Sequence, residues 1–170
     1  MSGGNEQLQQ VLKNQQKQKR TQNDSEKHDE GIVQLVCFMV DDEEFAVPIL
    51  SIQEIIKPME ATRVPSTPNY VVGVFNLRGN VLPLIDLRRK FGRSKSAYTD
   101  ETRFIVIRNK NQVSGFVIDK LTEAIRLKES DIDPAPDGME SEENHIYGVG
   151  KREDSIITIL RVEMLLKRNF

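Results

Sequence analysis

A chain of 170 residues has room for one domain of ordinary size, or for two small ones sharing a core. Its 24 basic and 26 acidic side chains leave a formal charge of −2, which gives no long-range pull toward nucleic acid or anionic lipid. Tryptophan is absent and Cys37 is the single cysteine, which argues against a base-stacking platform and excludes both an internal disulfide and a cysteine-based zinc site.

From Met1 to about Glu30 the sequence is rich in Gln, Lys, Asn and Glu, too polar to offset the entropy of ordering it. Residues 1–31 therefore read as a disordered polar tail, dispensable for the fold and for binding. Leu8, Val11 and Leu12 have helical spacing, but the stripe is too short for a stable isolated helix. It folds against a partner surface, or the segment is a plain solubilising tail. No apolar stretch approaches the roughly 20 residues that span a bilayer, and the N-terminus lacks the apolar core of a signal peptide. A cytoplasmic protein is expected, with no membrane insertion.

From Ile32 the character changes, and residues 32–170 read as the folded body. Val33 to Val40 is β-rich, Asp41-Asp42-Glu43-Glu44 supplies a turn, and Phe45 to Ile49 is β-rich again. Cys37 lies in this first run, where a small buried hydrophobe is the plain reading. Gln53 to Lys57 reads as a third strand. Gly73 to Leu77 and Val81 to Asp86 flank the turn Arg78-Gly79-Asn80, with a glycine free to take positive φ. Pro83 predicts an edge strand or a bulge. Leu87 to Phe91 reads as one or two helical turns ahead of Gly92.

The second half repeats this order. Arg103 to Arg108, Val113 to Ile118 and Leu121 to Leu127 read as strands, and an acidic loop runs from Glu129 to about Asn144. Tyr147 to Lys151 and Ser155 to Leu160 make a last hairpin, and Val162 to Leu166 a short closing helix. The halves also match residue by residue. Leu35-Val36-Cys37-Phe38 falls on Phe104-Ile105-Val106-Ile107, Ile49 on Ile118, Ile52 on Leu121, Glu54 on Glu123, and Gly73-Val74 on Gly148-Val149. Short strands without long crossover helices predict an all-β fold of two antiparallel five-stranded barrels, roughly 32–100 and 101–170, adjacent or intertwined. Each buries little alone, so the two should pack together.

The hairpin tips break the repeat. Phe75-Asn76-Leu77-Arg78-Gly79-Asn80 mixes apolar area with a guanidinium, as a binding surface does, whereas Gly150-Lys151-Arg152-Glu153-Asp154-Ser155 looks solvated. The first tip is either a contact surface or a hairpin packed on itself with Arg78 merely exposed. Ile49, Leu50, Ile52, Ile55 and Ile56 crowd more apolar side chains than one face of a half-buried strand needs, so some are expected at the surface; core packing is the alternative for each.

No catalytic constellation emerges. His28 and His145 lie in polar segments with no carboxylate or cysteine at metal-ligand spacing, and His145 reads as an exposed loop residue. There is no G-x-S-x-G elbow, no G-x-x-x-x-G-K-[ST] loop and no dinucleotide fingerprint. Gly115, inside a strand pattern, marks a bulge or a close backbone approach, and Glu140, Glu142 and Glu143 form a solvated acidic run. No cofactor or metal is expected.

The stretch Thr67-Pro68-Asn69-Tyr70-Val71-Val72-Gly73-Val74-Phe75-Asn76-Leu77-Arg78-Gly79-Asn80-Val81-Leu82-Pro83-Leu84-Ile85-Asp86-Leu87 closely resembles the signature of the CheW family. Asp41 to Ile49, Ile52-Gln53-Glu54-Ile55, Gly115 to Asp119 and Asp133-Pro134-Ala135-Pro136 fit it too, so the likeness covers roughly Ile32 to Leu166. The resemblance implies two pseudo-symmetric SH3-like barrels and a non-catalytic scaffold. Such a protein joins the cytoplasmic tip of a chemoreceptor to the regulatory domain of a CheA-type histidine kinase, at receptor arrays on the inner face of the membrane. The chain ends at Phe170, too soon for kinase modules or a receiver, so a stand-alone coupling protein, monomeric when free, is expected. By position, the resemblance assigns receptor contacts to Glu54, Gly73, Asn76 and Arg78, and kinase contacts to Val36, Ile49, Ile52 and Ile55. A nucleic-acid-binding small barrel is the rival reading; it needs a basic face with interleaved aromatics, which is missing here. An enzyme would instead need a deep polar pocket with perturbed titratable groups.

Overall fold

The computed structural model describes residues 8, 9, 11, 12, 31–135 and 145–168. Eleven strands are seen among them: β1 (Ile32–Val40), β2 (Glu43–Pro48), β3 (Ile52–Ile56), β4 (Val71–Leu77), β5 (Asn80–Asp86), β6 (Arg103–Asn109), β7 (Gln112–Ile118), β8 (Lys120–Lys128), β9 (Ile132–Pro134), β10 (Ile146–Arg152) and β11 (Ser155–Leu160). Two short helices, α1 (Leu87–Lys90) and α2 (Val162–Leu166), follow β5 and β11. The strands form one sheet in the order β8-β1-β2-β11-β10-β9 and another in the order β3-β6-β7-β5-β4.

Neither sheet is built from one half of the chain. The hairpin β1–β2 of the first half joins β8 to β11 of the second, and the hairpin β6–β7 of the second half joins β3, β4 and β5 of the first. The repeat is therefore an exchange of first hairpins, and the boundary near residue 100 divides the repeat but not the sheets. The exchange also creates two parallel pairings absent from the antiparallel expectation. β2 runs beside β11, with Phe45 opposite Thr158, and β7 beside β5, with Gly115 opposite Leu84. Pro83 accordingly sits on an interior strand. It lies just before the residues of β5 that pair with β7, so its missing N–H interrupts neither ladder.

The exchange explains why β1 and β6 read as continuous apolar runs. Alternate residues of a strand face opposite sides, and here both sides are buried. Leu35 and Cys37 of β1 fill one barrel with Ala46, Ile157 and Ile159. Phe104 and Val106 of β6 fill the other with Phe75, Leu77, Leu84 and Val117. Their opposite faces, Val36, Phe38 and Val40 with Ile105 and Ile107, meet in a third core between the barrels, closed by Leu165 and Leu166 of α2. Gly115 reflects a close approach: a Cβ there would lie 2.6 Å from the Phe75 ring. Burial, reinforced by the charge of Glu44, pushes the Cys37 thiol up to about 12, which keeps it protonated and inert.

Each barrel meets the other at a polar clamp. Arg88 of α1 grips Asp119 through Nε at 2.9 Å and Nη2 at 2.6 Å, and the Asp119 carboxylate also accepts the Asp41 N–H at 2.7 Å. Arg93 donates to the Val40 carbonyl at 2.9 Å and pairs with Glu43 at 2.6 Å. These contacts tie the helix after β5 to the β1–β2 turn, and so one sheet to the other. His145, expected to be an exposed loop residue, is half-buried with its ring 6.2 Å from that of Phe91. Two other predicted features lie apart from this picture: β9 falls inside the segment expected to be a plain acidic loop, and Glu140, Glu142 and Glu143 lie outside the described residues.

Because the barrels share strands and a core, denaturant should unfold them in a single transition by both fluorescence and circular dichroism. Arg88→Ala should lower that stability by about 1 to 2 kcal/mol, since it leaves the partly exposed Asp119 carboxylate without its main donor. Two separate transitions would mean that the exchanged hairpins do not couple the sheets.

Candidate partner-binding surface

β3 and β4 are the two edges of their sheet, and the turn after β4 carries Arg78. Arg78 holds φ at +53°, and the following Gly79 at +88°, as the tight turn requires. From there its guanidinium reaches back across the seam to Glu54 on β3. Nη2 lies 2.7 Å from Oε1 and Nε 3.2 Å from Oε2, a forked pair. The hydrogen bonds to Glu54 raise the already high pKa of Arg78. The Arg78 side chain is 74% exposed and that of Glu54 20%, so the arginine faces solvent while its partner stays sheltered.

The other two proposed receptor residues shape this tip. Asn76 Oδ1 accepts the Gly79 N–H at 2.9 Å and so braces the turn. Gly73 lies where residue 62 crosses β4, with Thr62 and Val74 exchanging two backbone hydrogen bonds of 2.8 Å. A Cβ on Gly73 would sit 2.1 Å from the Thr62 oxygen. The close backbone approach is thus made by the chain's own segment. Gly148 repeats it, where a Cβ would lie 2.6 Å from the Asp133 oxygen of β9. β9 is the second half's version of the Thr62 crossing.

The ion pair is repeated as well, displaced by one residue. Arg152, at the end of β10, pairs with Glu123 on β8, the counterpart of Glu54, and approaches Glu44 at 3.9 Å. The spacing set by Gly73 and Gly148 puts Glu153 opposite Arg78 in the repeat, and Glu153 also takes positive φ, at +51°. The first tip therefore differs in having its arginine outermost, beside Val81, which is 66% exposed. Glu54, Asn76 and Arg78 come together around the turn, and Gly73 lies farther back along β4.

The four residues assigned to the kinase do not share one surface. Val36, Ile49 and Ile52 are buried in the core between the barrels, and Ile55 packs half-buried against it. The apolar residue that does reach solvent in this stretch is Leu50, at 55% exposure on the 3-10 turn Ile49–Ser51. Sequence reading counted Leu50 in the apolar crowd without singling it out; its place in a turn between two strands was the available signal.

A cleft of about 570 Å³ lies between residues 63–72, α1 and residues 95–98, lined among others by Arg63, Asp86, Arg89 and Tyr98. Burial raises the pKa values of Asp86 and Tyr98. Asp86, however, caps α1 by accepting the Arg88 N–H at 3.0 Å, and Tyr98 stands edge-on to Phe104. No cluster of metal-ligating side chains occurs among the described residues.

Two β-barrels that exchange hairpins thus carry an arginine-tipped turn where two sheet edges meet. A family model described as the CheW-like domain matches residues 34–170. The chain is 52% identical over 156 residues to the chemotaxis protein CheW of Helicobacter pylori, covering 91% of this chain and 94% of that one. It is 33% identical to the chemotaxis protein CheW of Bacillus subtilis, covering 79% and 86%. The scaffolding protein TtCheW of Thermoanaerobacter tengcongensis superposes with a TM-score of 0.74 at 29% identity, covering 81% of this chain and 94% of that one. The chain belongs to the CheW family of chemotaxis coupling adaptors.

Gly73→Ala should destabilise the fold by about 2 to 4 kcal/mol, because the Thr62 crossing must move to admit a methyl group. Chemical denaturation measures this. A loss below 0.5 kcal/mol, within the range of about ±0.5 usual for plain surface changes, would show that the crossing gives way easily.

Proposed function

We propose that this chain couples the cytoplasmic tip of a chemoreceptor to the regulatory domain of a CheA-type histidine kinase, as a monomeric, non-catalytic adaptor recruited to receptor arrays. The observation that supports it most is the Arg78–Glu54 tip. An exposed guanidinium, already oriented by a sheltered carboxylate, costs little side-chain entropy to dock and keeps donors free for a carboxylate or carbonyl of the receptor. Val81 beside it supplies apolar area for a receptor helix laid across the hairpin.

The kinase surface in this reading centres on Leu50 and Ile55, with Val36, Ile49 and Ile52 supporting it from the core. The two surfaces stand on adjoining structure, since β3 carries both Glu54 and Ile55. Successive residues of a strand point to opposite sides, so one strand presents a receptor-side carboxylate and a kinase-side apolar group. The nucleic-acid alternative receives no support from a chain with near-balanced charge and a tip bearing one arginine.

Arg78→Ala should weaken binding of a receptor signalling fragment roughly thirtyfold, while Glu153→Ala at the matching tip stays near wild type. Equal effects at the two sites, measured by titration calorimetry, would remove the receptor surface from the first hairpin. Leu50→Asp changes an exposed position, so stability should shift by no more than about 0.5 kcal/mol while kinase binding falls roughly tenfold or more. Unchanged kinase affinity in that variant would place the kinase surface elsewhere.

A further inference from the structure

Four residues before Gly31 are described: Leu8, Gln9, Val11 and Leu12, all in helical conformation. Leu8, Val11 and Leu12 are half-buried and pack against the core between the barrels, whereas Gln9 is exposed. The i, i+3, i+4 spacing puts the three apolar side chains on one face, and that is the face laid on the protein. Ile55, Tyr70, Phe91 and Leu121 cover the same core as half-buried neighbours. One apolar stripe of three residues is too short to stabilise an isolated helix in water, so the surface beneath it supplies the stabilisation.

We propose that the Leu8–Val11–Leu12 stripe is an intramolecular ligand for the apolar surface around Ile55, and that the kinase regulatory domain must displace it to bind. The described packing puts this segment of the same chain against the core between the barrels, which Ile55 also flanks. The competition rests on the proposed kinase surface; the docking does not. Residues 13–30 connect the stripe to the body, and when extended they would reach roughly 60 Å, so release carries no geometric penalty. A ligand tethered on the same chain is held at about millimolar effective concentration, which makes even a weak contact a measurable competitor. The polar tail then acts as a brake on partner binding in place of the inert solubiliser expected from its composition.

The test uses the full chain carrying Leu8→Asp, Val11→Asp and Leu12→Asp together, with its circular dichroism and denaturation midpoint checked against wild type. These changes should tighten binding to the isolated kinase regulatory domain about threefold to tenfold. A synthetic peptide of residues 1–18 should bind the substituted chain, reverse that gain, and leave the wild-type chain untouched. Equal or weaker kinase affinity in the folded variant, with no peptide binding, overturns the proposal. If no form of the chain binds the kinase domain, the proposed function fails, and peptide binding alone decides whether the stripe is seated. A concentration-dependent dimer of the wild-type chain that the three substitutions abolish would mean that the stripe docks on a second copy, which also overturns it.

Discussion

The reciprocal exchange of hairpins is the constraint on which the rest of this protein depends. Each barrel interior is completed by two strands from the other half of the sequence, so neither barrel can close alone. The same exchange buries both faces of β1 and β6 and builds the core between the barrels. Arg88 and Asp119 then secure the place where the chain crosses from one sheet to the other. The first hairpin tip stands on this frame, and the neighbouring β3 presents Glu54 from a fixed backbone.

Much of the fold was legible because the chain repeats itself. The main strands and both helices were readable from alternation, turns and the match between halves, down to the paired Gly73 and Gly148. What alternation does not carry is the identity of a strand's neighbour. The pattern of Val36 and Cys37 is the same whether β1 pairs within its own half or with β8, so adjacent and intertwined barrels read alike and the parallel pairs were invisible. β9 was missed for a related reason. A three-residue strand ending in Pro134 has too few alternations to register, yet it fills the role of the Thr62 crossing.

The site was legible only in part. Arg78 and Glu54 were each singled out, but their pairing across 24 residues depends on how the barrel closes. Its echo at Arg152 and Glu123 was hidden because the second arginine stands one position earlier than the match predicts. The apolar crowd from Ile49 to Ile56 was read against a single core face. With cores on both sides of the neighbouring strands, most of it is needed inside, and Leu50 is left as the exposed member. The proposed contacts thus fall where the repeat is broken: at the tip whose arginine is outermost and at the turn between β2 and β3.

In the proposed role this chain transmits receptor state to a kinase without chemistry of its own. Autophosphorylation of a CheA-type kinase, followed with labelled ATP beside receptor signalling fragments with and without this chain, separates that role from any other. Receptor control of the kinase should appear only when the chain is present, and the chain alone should transfer no phosphate. Full receptor control in its absence, or phosphate transfer by the isolated chain, would contradict it.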